Sequence, residues 1–220
     1  MTDKFTMPTL AGGMALLAVL YSPQALLAQD MVEGVFALPG ATPAVTGQLQ
    51  VTETGPLSRQ IRLTHTGVES GEQITDYEVE LTQQLHILAT DAGLTHLIHE
   101  HADVIGDDGS FTAELEFPKP GLYHIYTDVV PVGLGQQVLR FDVTVGDGQP
   151  ATDTSVPPAQ DVTIGPLVSS DGPYTVTLDA TQLQPGAETQ VSLLVERDGA
   201  PAGDLEPYLG VSAHAVFIRA

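Results

Sequence analysis

The 220-residue chain contains no cysteine and no tryptophan. The missing cysteine excludes disulfides, a lipid-modified N-terminal cysteine, thiolate zinc sites, iron–sulfur clusters and blue-copper centres. Methionine is almost as scarce. Met1, Met7, Met14 and Met31 are the only four, and three of them lie in the first 28 residues, too few for a thioether-rich Cu(I) site. Positive charge is short as well: 7 Lys and Arg stand against 28 Asp and Glu, a net charge of −21. Nucleic acid is thereby a poor partner, because phosphates are bound by basic side chains that displace counterions. An anionic membrane surface is disfavoured on the same ground. Such a chain attracts cations, metal ions included, although a solvated acidic surface needs no ligand to explain it.

Long apolar runs are also lacking. The longest, Leu10 to Leu20, is too short to cross a bilayer comfortably. It follows Lys4, is broken by Pro23, and precedes the small-residue stretch Ala25-Leu26-Leu27-Ala28. Residues 1–28 therefore read as a secretory signal peptide, with the mature start near Gln29 or Asp30 and a periplasmic or secreted location.

Aromatics make up 5% of the chain, so the core must come mainly from Val, Leu, Ile and Ala, while 22 glycines and 16 prolines are spread along it. Many short strands joined by tight turns fit this composition better than long helices. Residues 30–44 read as a lead-in segment. Val45 to Thr54 and Ser58 to Thr66 alternate apolar and polar residues, as half-buried strands do. Tyr77 to Ala89 reads as the longest strand, with His86 on its polar face. Phe111, Ala113, Leu115 and Phe117 share one parity, as do Tyr123, Ile125, Thr127 and Val129, and then Leu139, Phe141, Val143 and Val145. About seven strands over about 100 residues is the size of an immunoglobulin-like β-sandwich.

Asp147 to Gln160 has no apolar period and is rich in Pro, Thr and Asp, which reads as a linker. Four more strand-like stretches follow: Asp161 to Val168, Tyr174 to Leu178, Thr189 to Glu196 and Ser212 to Ile218. They echo the first unit. Gly71, Asp76, Glu78, Leu81 and His86 recur at a constant offset as Gly199, Asp204, Glu206, Leu209 and His214. The expected architecture is all-β: a signal peptide (1–28), a sandwich (29–146), a linker (147–160) and a partial second β unit (161–220). Such a half-unit has an apolar face and edges to cover.

Five of the seven histidines fall between Leu85 and Tyr126: His86, His96, His99, His101 and His124. In a strand, His99 and His101 project from one face about 7 Å apart. His86 and His124 lie on the polar faces of other strands and can approach across the sheet; His96 can join from a loop or bulge. Neutral imidazoles with an open or carboxylate position suit Cu(II) or Zn(II), and Glu100, Asp103 and Asp128 are the candidate carboxylates. The competing reading is a set of structural hydrogen bonds or a pH-sensitive patch. No helical His-x-x-x-His pattern, Gly-x-Ser-x-Gly elbow or glycine-rich phosphate loop occurs, so no enzyme is expected. Asp107-Asp108-Gly109 reads as a hairpin turn.

Leu85-His86, Asp91, His99-Glu100-His101, Asp108-Gly109-Ser110-Phe111, Phe117-Pro118 and Gly121-Leu122-Tyr123 together resemble a group of secreted bacterial His-x-His β-sandwich proteins, often described as metal- or copper-associated. The likeness covers roughly residues 70–145 and 170–220, the later part through Asp204-Leu205-Glu206-Pro207-Tyr208-Leu209-Gly210 and His214. It implies an immunoglobulin-like sandwich and metal handling. Ala102 departs from the proline that follows His-x-His in that group, Ala92 from its leucine, and a second His-x-His block is missing. The expected function is thus non-enzymatic binding of a copper or zinc ion for buffering or delivery. The alternative is a structural or interaction module that docks a membrane-protein ectodomain, or self-associates, through its C-terminal half-unit.

Overall fold

The computed structural model describes residues 29–146, 165–179, 190–207 and 218. Among these residues there is no helix, and the strands form three antiparallel sheets. The first sheet runs β1 (Gln29–Glu33), β3 (Val45–Glu53), β4 (Ser58–Gly67), β8 (Phe111–Glu116), β7 (Val104–Ile105). The second runs β2 (Val35–Phe36), β10 (Gln137–Val145), β9 (Gly121–Val129), β5 (His86–Asp91), β6 (Leu97–His101).

Each long strand presents alternate residues to one shared core. Leu49 and Val51, Ile61 and Leu63, and Phe111 and Leu115 are buried from the first sheet. Ile87 and Ala89, Tyr123 and Ile125, and Leu139 and Phe141 are buried from the second. Full burial of each large side chain contributes about 1.5–3 kcal/mol, which fixes the faces. A one-residue slip would turn every such side chain outward. The expected all-β sandwich is the fold found, and the parities of β8, β9 and β10 are as the alternation requires.

Two sequence expectations are corrected. Residues 30–44 are more than a lead-in, since β1 pairs with β3 in one sheet and β2 with β10 in the other. Between them the chain passes at Gly34, where a Cβ would stand 2.7 Å from the Phe141 ring. The stretch Tyr77 to Ala89 is not one strand. Tyr77 makes a single bridge to Pro131, and Glu80 and Gln83 bridge each other around Leu81 (φ 47°) and Thr82 (φ 75°). These two left-handed residues reverse the chain, Val79 and Leu81 are exposed, and the strand begins only at His86. The Asp107–Gly109 turn is present. Asp108 Oδ1 accepts from the Ser110 backbone N–H and hydroxyl, and Gly109 (φ 75°) packs so closely on the Ile74 carbonyl that no side chain fits.

The third sheet runs β11 (Leu167–Asp171), β12 (Tyr174–Asp179), β13 (Ser192–Arg197), β14 (Ala200–Pro201). Asp198 and Gly199, both at positive φ, make the two-residue turn that joins β13 to β14. Of the stretch Asp161 to Val168, Leu167 and Val168 open β11, and residues 161–164 lie outside the described residues. Leu209 and His214 of the proposed repeat, the linker 147–160 and all of Ser212 to Ile218 except Ile218 lie outside the described residues.

Candidate metal centre

The outer face of the second sheet carries the histidines. On β5, Ile87 and Ala89 point into the core, so His86, Leu88 and Thr90 point out. On β6, Ile98 packs against the core, so Leu97, His99 and His101 point out. The β5–β6 register sets His86 opposite His101 and Leu88 opposite His99. Directly opposed side chains have Cβ atoms about 4.5–5.5 Å apart, and diagonal neighbours lie within reach of large rings. Three imidazoles therefore meet.

Their ring centroids form a triangle: 5.1 Å from His86 to His101, 5.1 Å from His99 to His101 and 6.0 Å from His86 to His99. One ring nitrogen from each lies within 4.8 Å of one from each of the others. Some point is then no farther than roughly 2.8 Å from all three, against a zinc–imidazole bond of roughly 2.0–2.1 Å. Side-chain rotation of under about an ångström at each ring closes the difference. His86 is buried, and His99 and His101 are half-buried.

His86 Nε2–H donates to the Glu80 carbonyl at 3.0 Å. In the neutral ring that bond puts the lone pair on Nδ1, the arrangement by which a backbone carbonyl orients a metal-binding imidazole. Sequence reasoning gives no sign of this contact, because it depends on the Leu81–Thr82 reversal.

Asp128 stands opposite His86 on its other side, across the β5–β9 pair. Its Oδ2 accepts from Gln136 Nε2 at 2.7 Å. Burial raises its pKa, the Gln136 bond opposes that, Glu80 raises it further and His86 lowers it. A cavity of about 540 Å³ opens along this face, lined by Glu80, His86, Leu88, Leu97, His99 and Asp128 among others. Ile218 also lines it.

The other candidates sit elsewhere. His96 follows a turn built on Asp91, whose Oδ1 accepts from the backbone N–H groups of Thr95 (2.7 Å) and His96 (2.8 Å). Asp91 Oδ2 accepts from the Thr95 hydroxyl at 2.6 Å and pairs with Lys119 at 3.0 Å. Burial works against the Asp91 charge, but the bonds from Thr95, Lys119 and His96 outweigh it and hold the carboxyl below its usual range. The His96 ring turns to Thr95 Oγ1, at 2.8 Å, and not to the three imidazoles. His124 Nδ1 bonds Asp142 Oδ1 at 2.7 Å. Glu100 is exposed and alternates away from His99 and His101. Asp103 accepts from the Glu114 backbone N–H, which ties its loop to β8. His86, His99 and His101 are thus brought together; His96 and His124 are not.

A family model described as a domain of unknown function (DUF8832) matches residues 40–147 and 168–220, which take in the sandwich from β3 to β10, with this cluster, and the third sheet from Val168 onward. No curated protein and no solved structure matches the chain.

Proposed function

This chain belongs to the DUF8832 family, and we propose that it binds a divalent transition-metal ion, Cu(II) or Zn(II), through His86, His99 and His101. One observation carries the reading: three imidazole nitrogens lie within 4.8 Å of one another on one face of a sheet. Neutral imidazoles are ligands of choice for both ions, and the excess of acidic groups favours any cation on approach. The role is buffering or delivery outside the cytoplasm, without catalysis. The leader-like residues 1–28 support the location, and the lack of a nucleophile or base motif supports the absence of catalysis.

Calorimetric titration of the metal-free protein with Zn(II) and Cu(II) tests this. Stoichiometric binding with a Kd below about 1 μM, or −8.2 kcal/mol, is expected. Binding no tighter than that of an acidic protein without clustered histidines would sink it.

A second reading rests on the third sheet. Leu167, Val168, Leu193 and Leu194 are all about half exposed or more. Leu167 and Leu193 project from one face of this sheet and Val168 and Leu194 from the other, and apolar side chains exposed on both faces serve docking to a second copy or to a membrane-protein ectodomain. Sedimentation from micromolar to millimolar concentration tests the first of these; a monomer throughout rules out self-association.

A further inference from the structure

The Asp128 carboxylate has a partner for only one of its oxygens. Gln136 satisfies Oδ2, whereas Oδ1 is buried and makes no hydrogen bond. A buried, unpaired carboxylate oxygen is costly, and the cost grows when a second carboxylate is near. Glu80 lines the same cavity as Asp128, and so do His86 and His99. The sheet places Asp128 in one row with His86 and His101, as the registers His86–Asp128 and His86–His101 show. Nothing in the sandwich core requires a carboxylate there, since Asp128 projects from the outer face while Thr127 and Val129 face inward.

We infer that Asp128 is the fourth member of the centre, a carboxylate that acts from beside the three imidazoles and selects divalent ions over Cu(I). The inference rests on the metal reading above. Asp128 is not in the group of atoms within 4.8 Å of one another. It therefore acts through a metal-bound water, whose O–H donates to Oδ1, and through the charge it sets against the ion. Three neutral imidazoles leave the full double charge of Zn(II) or Cu(II) uncompensated in a half-buried place, and one carboxylate halves it. Cu(I) is soft, carries a single charge and gains little from a hard oxygen neighbour.

The test compares the full chain with its Asp128→Asn variant, which keeps the shape of the side chain and an acceptor for Gln136. Zn(II) and Cu(II) affinities are measured by competition with chelators, and Cu(I) affinity under reductant. The expected result is roughly 10–100-fold weaker binding of both divalent ions. Cu(I) affinity should stay within about threefold, and the metal-free thermal midpoint should be equal or higher, because a desolvated charge is gone. Unchanged divalent affinity in the variant, with tight binding by the unmodified chain, overturns the role of Asp128 and leaves the imidazole centre standing. Equal losses for Cu(I) and the divalent ions, with a lowered metal-free midpoint, also overturn it, by making Asp128 a structural residue. Absence of binding by the unmodified chain overturns the centre itself.

Discussion

His65 and His86 are both buried histidines of one sandwich, and their surroundings give them opposite fates. His65 points from β4 into the core and is 0% exposed. Its Nδ1 lies 2.9 Å from the Tyr77 hydroxyl, which lies 3.4 Å from the Ile74 carbonyl. A proton on Nδ1 lets both bonds form, with the imidazole donating to Tyr77 and Tyr77 to Ile74. Nε2 then carries a bare lone pair, and it has no partner. Tyr77 and Phe111 pack edge-on around it. Burial alone pushes its pKa down to about 4. His86 instead points from β5 to the outer face and meets two more imidazoles. Burial alone makes His65 a neutral core residue; convergence on an open face makes His86 the ligand proposed above.

Removing the convergence should have the largest effect. A His99→Ala/His101→Ala variant leaves one imidazole. Its Kd for Zn(II) or Cu(II) should rise from below about 1 μM to about 1 mM or more, a loss of about 4 kcal/mol read by calorimetry. A His65→Leu variant should leave that affinity unchanged, because His65 lies inside the sandwich.

The next effect belongs to His65. Its folded pKa, about 4, is below the 6.5 of an exposed histidine. The unfolded chain therefore binds the proton first, and stability is lost as pH falls from 6.5 toward 4. The loss should approach about 3 kcal/mol at pH 4, at 1.36 kcal/mol per unit. Denaturant unfolding of the metal-free protein between pH 7 and pH 4, beside His65→Leu, checks this. The variant should be less stable at neutral pH and show a shallower pH slope. Parallel slopes would mean that His65 is protonated in the folded state.

The parities of β5 and β9 can be read from alternation, because Ile87 and Ala89, and Tyr123, Ile125 and Val129, are buried at every second position, whereas no residue of β6 is fully buried. Hence the outward direction of His86 was readable, as were the shared face of His99 and His101 and the sandwich. Their register was not, because nothing in Leu85-His86 or His99-Glu100-His101 says which residues lie opposite one another. The reversal at Leu81–Thr82 was hidden because neither residue is the glycine or asparagine that marks positive φ. The Glu80 carbonyl at His86 was hidden with it. β1 and β2 are edge strands with little apolar period, so Pro39 and Gly40 dominated the reading of that segment.

A smaller effect separates the cluster from the turn beside it. Asp91 is 6% exposed and accepts bonds from Thr95, His96 and Lys119. Asp91→Ala should cost about 2 kcal/mol of stability at neutral pH, since hydrogen bonds to a charged group contribute about 1.5–3 kcal/mol. Its pKa is depressed, so this contribution is present above the ordinary carboxylate range and is lost as pH falls below it. The same variant should bind metal as tightly as the unmodified protein.

The smallest expected effect is the sharpest test of where the centre ends. His124 stands opposite Thr90, four residues along β5 from His86. At about 3.4 Å per residue that is about 14 Å, more than two imidazoles span. Its Nδ1 is already engaged by Asp142. His96 lines the same cavity as His86 and His99, but its ring is held toward Thr95 and Asp91. His96→Ala and His124→Ala should each change metal affinity by less than about twofold, under about 0.4 kcal/mol. A tenfold loss in His96→Ala would mean that the ion is shared along the length of the cavity. The division between the three proposed ligand histidines and the rest of the chain would then fail, and His96 would be the first residue to move across it, because it already lines the cavity.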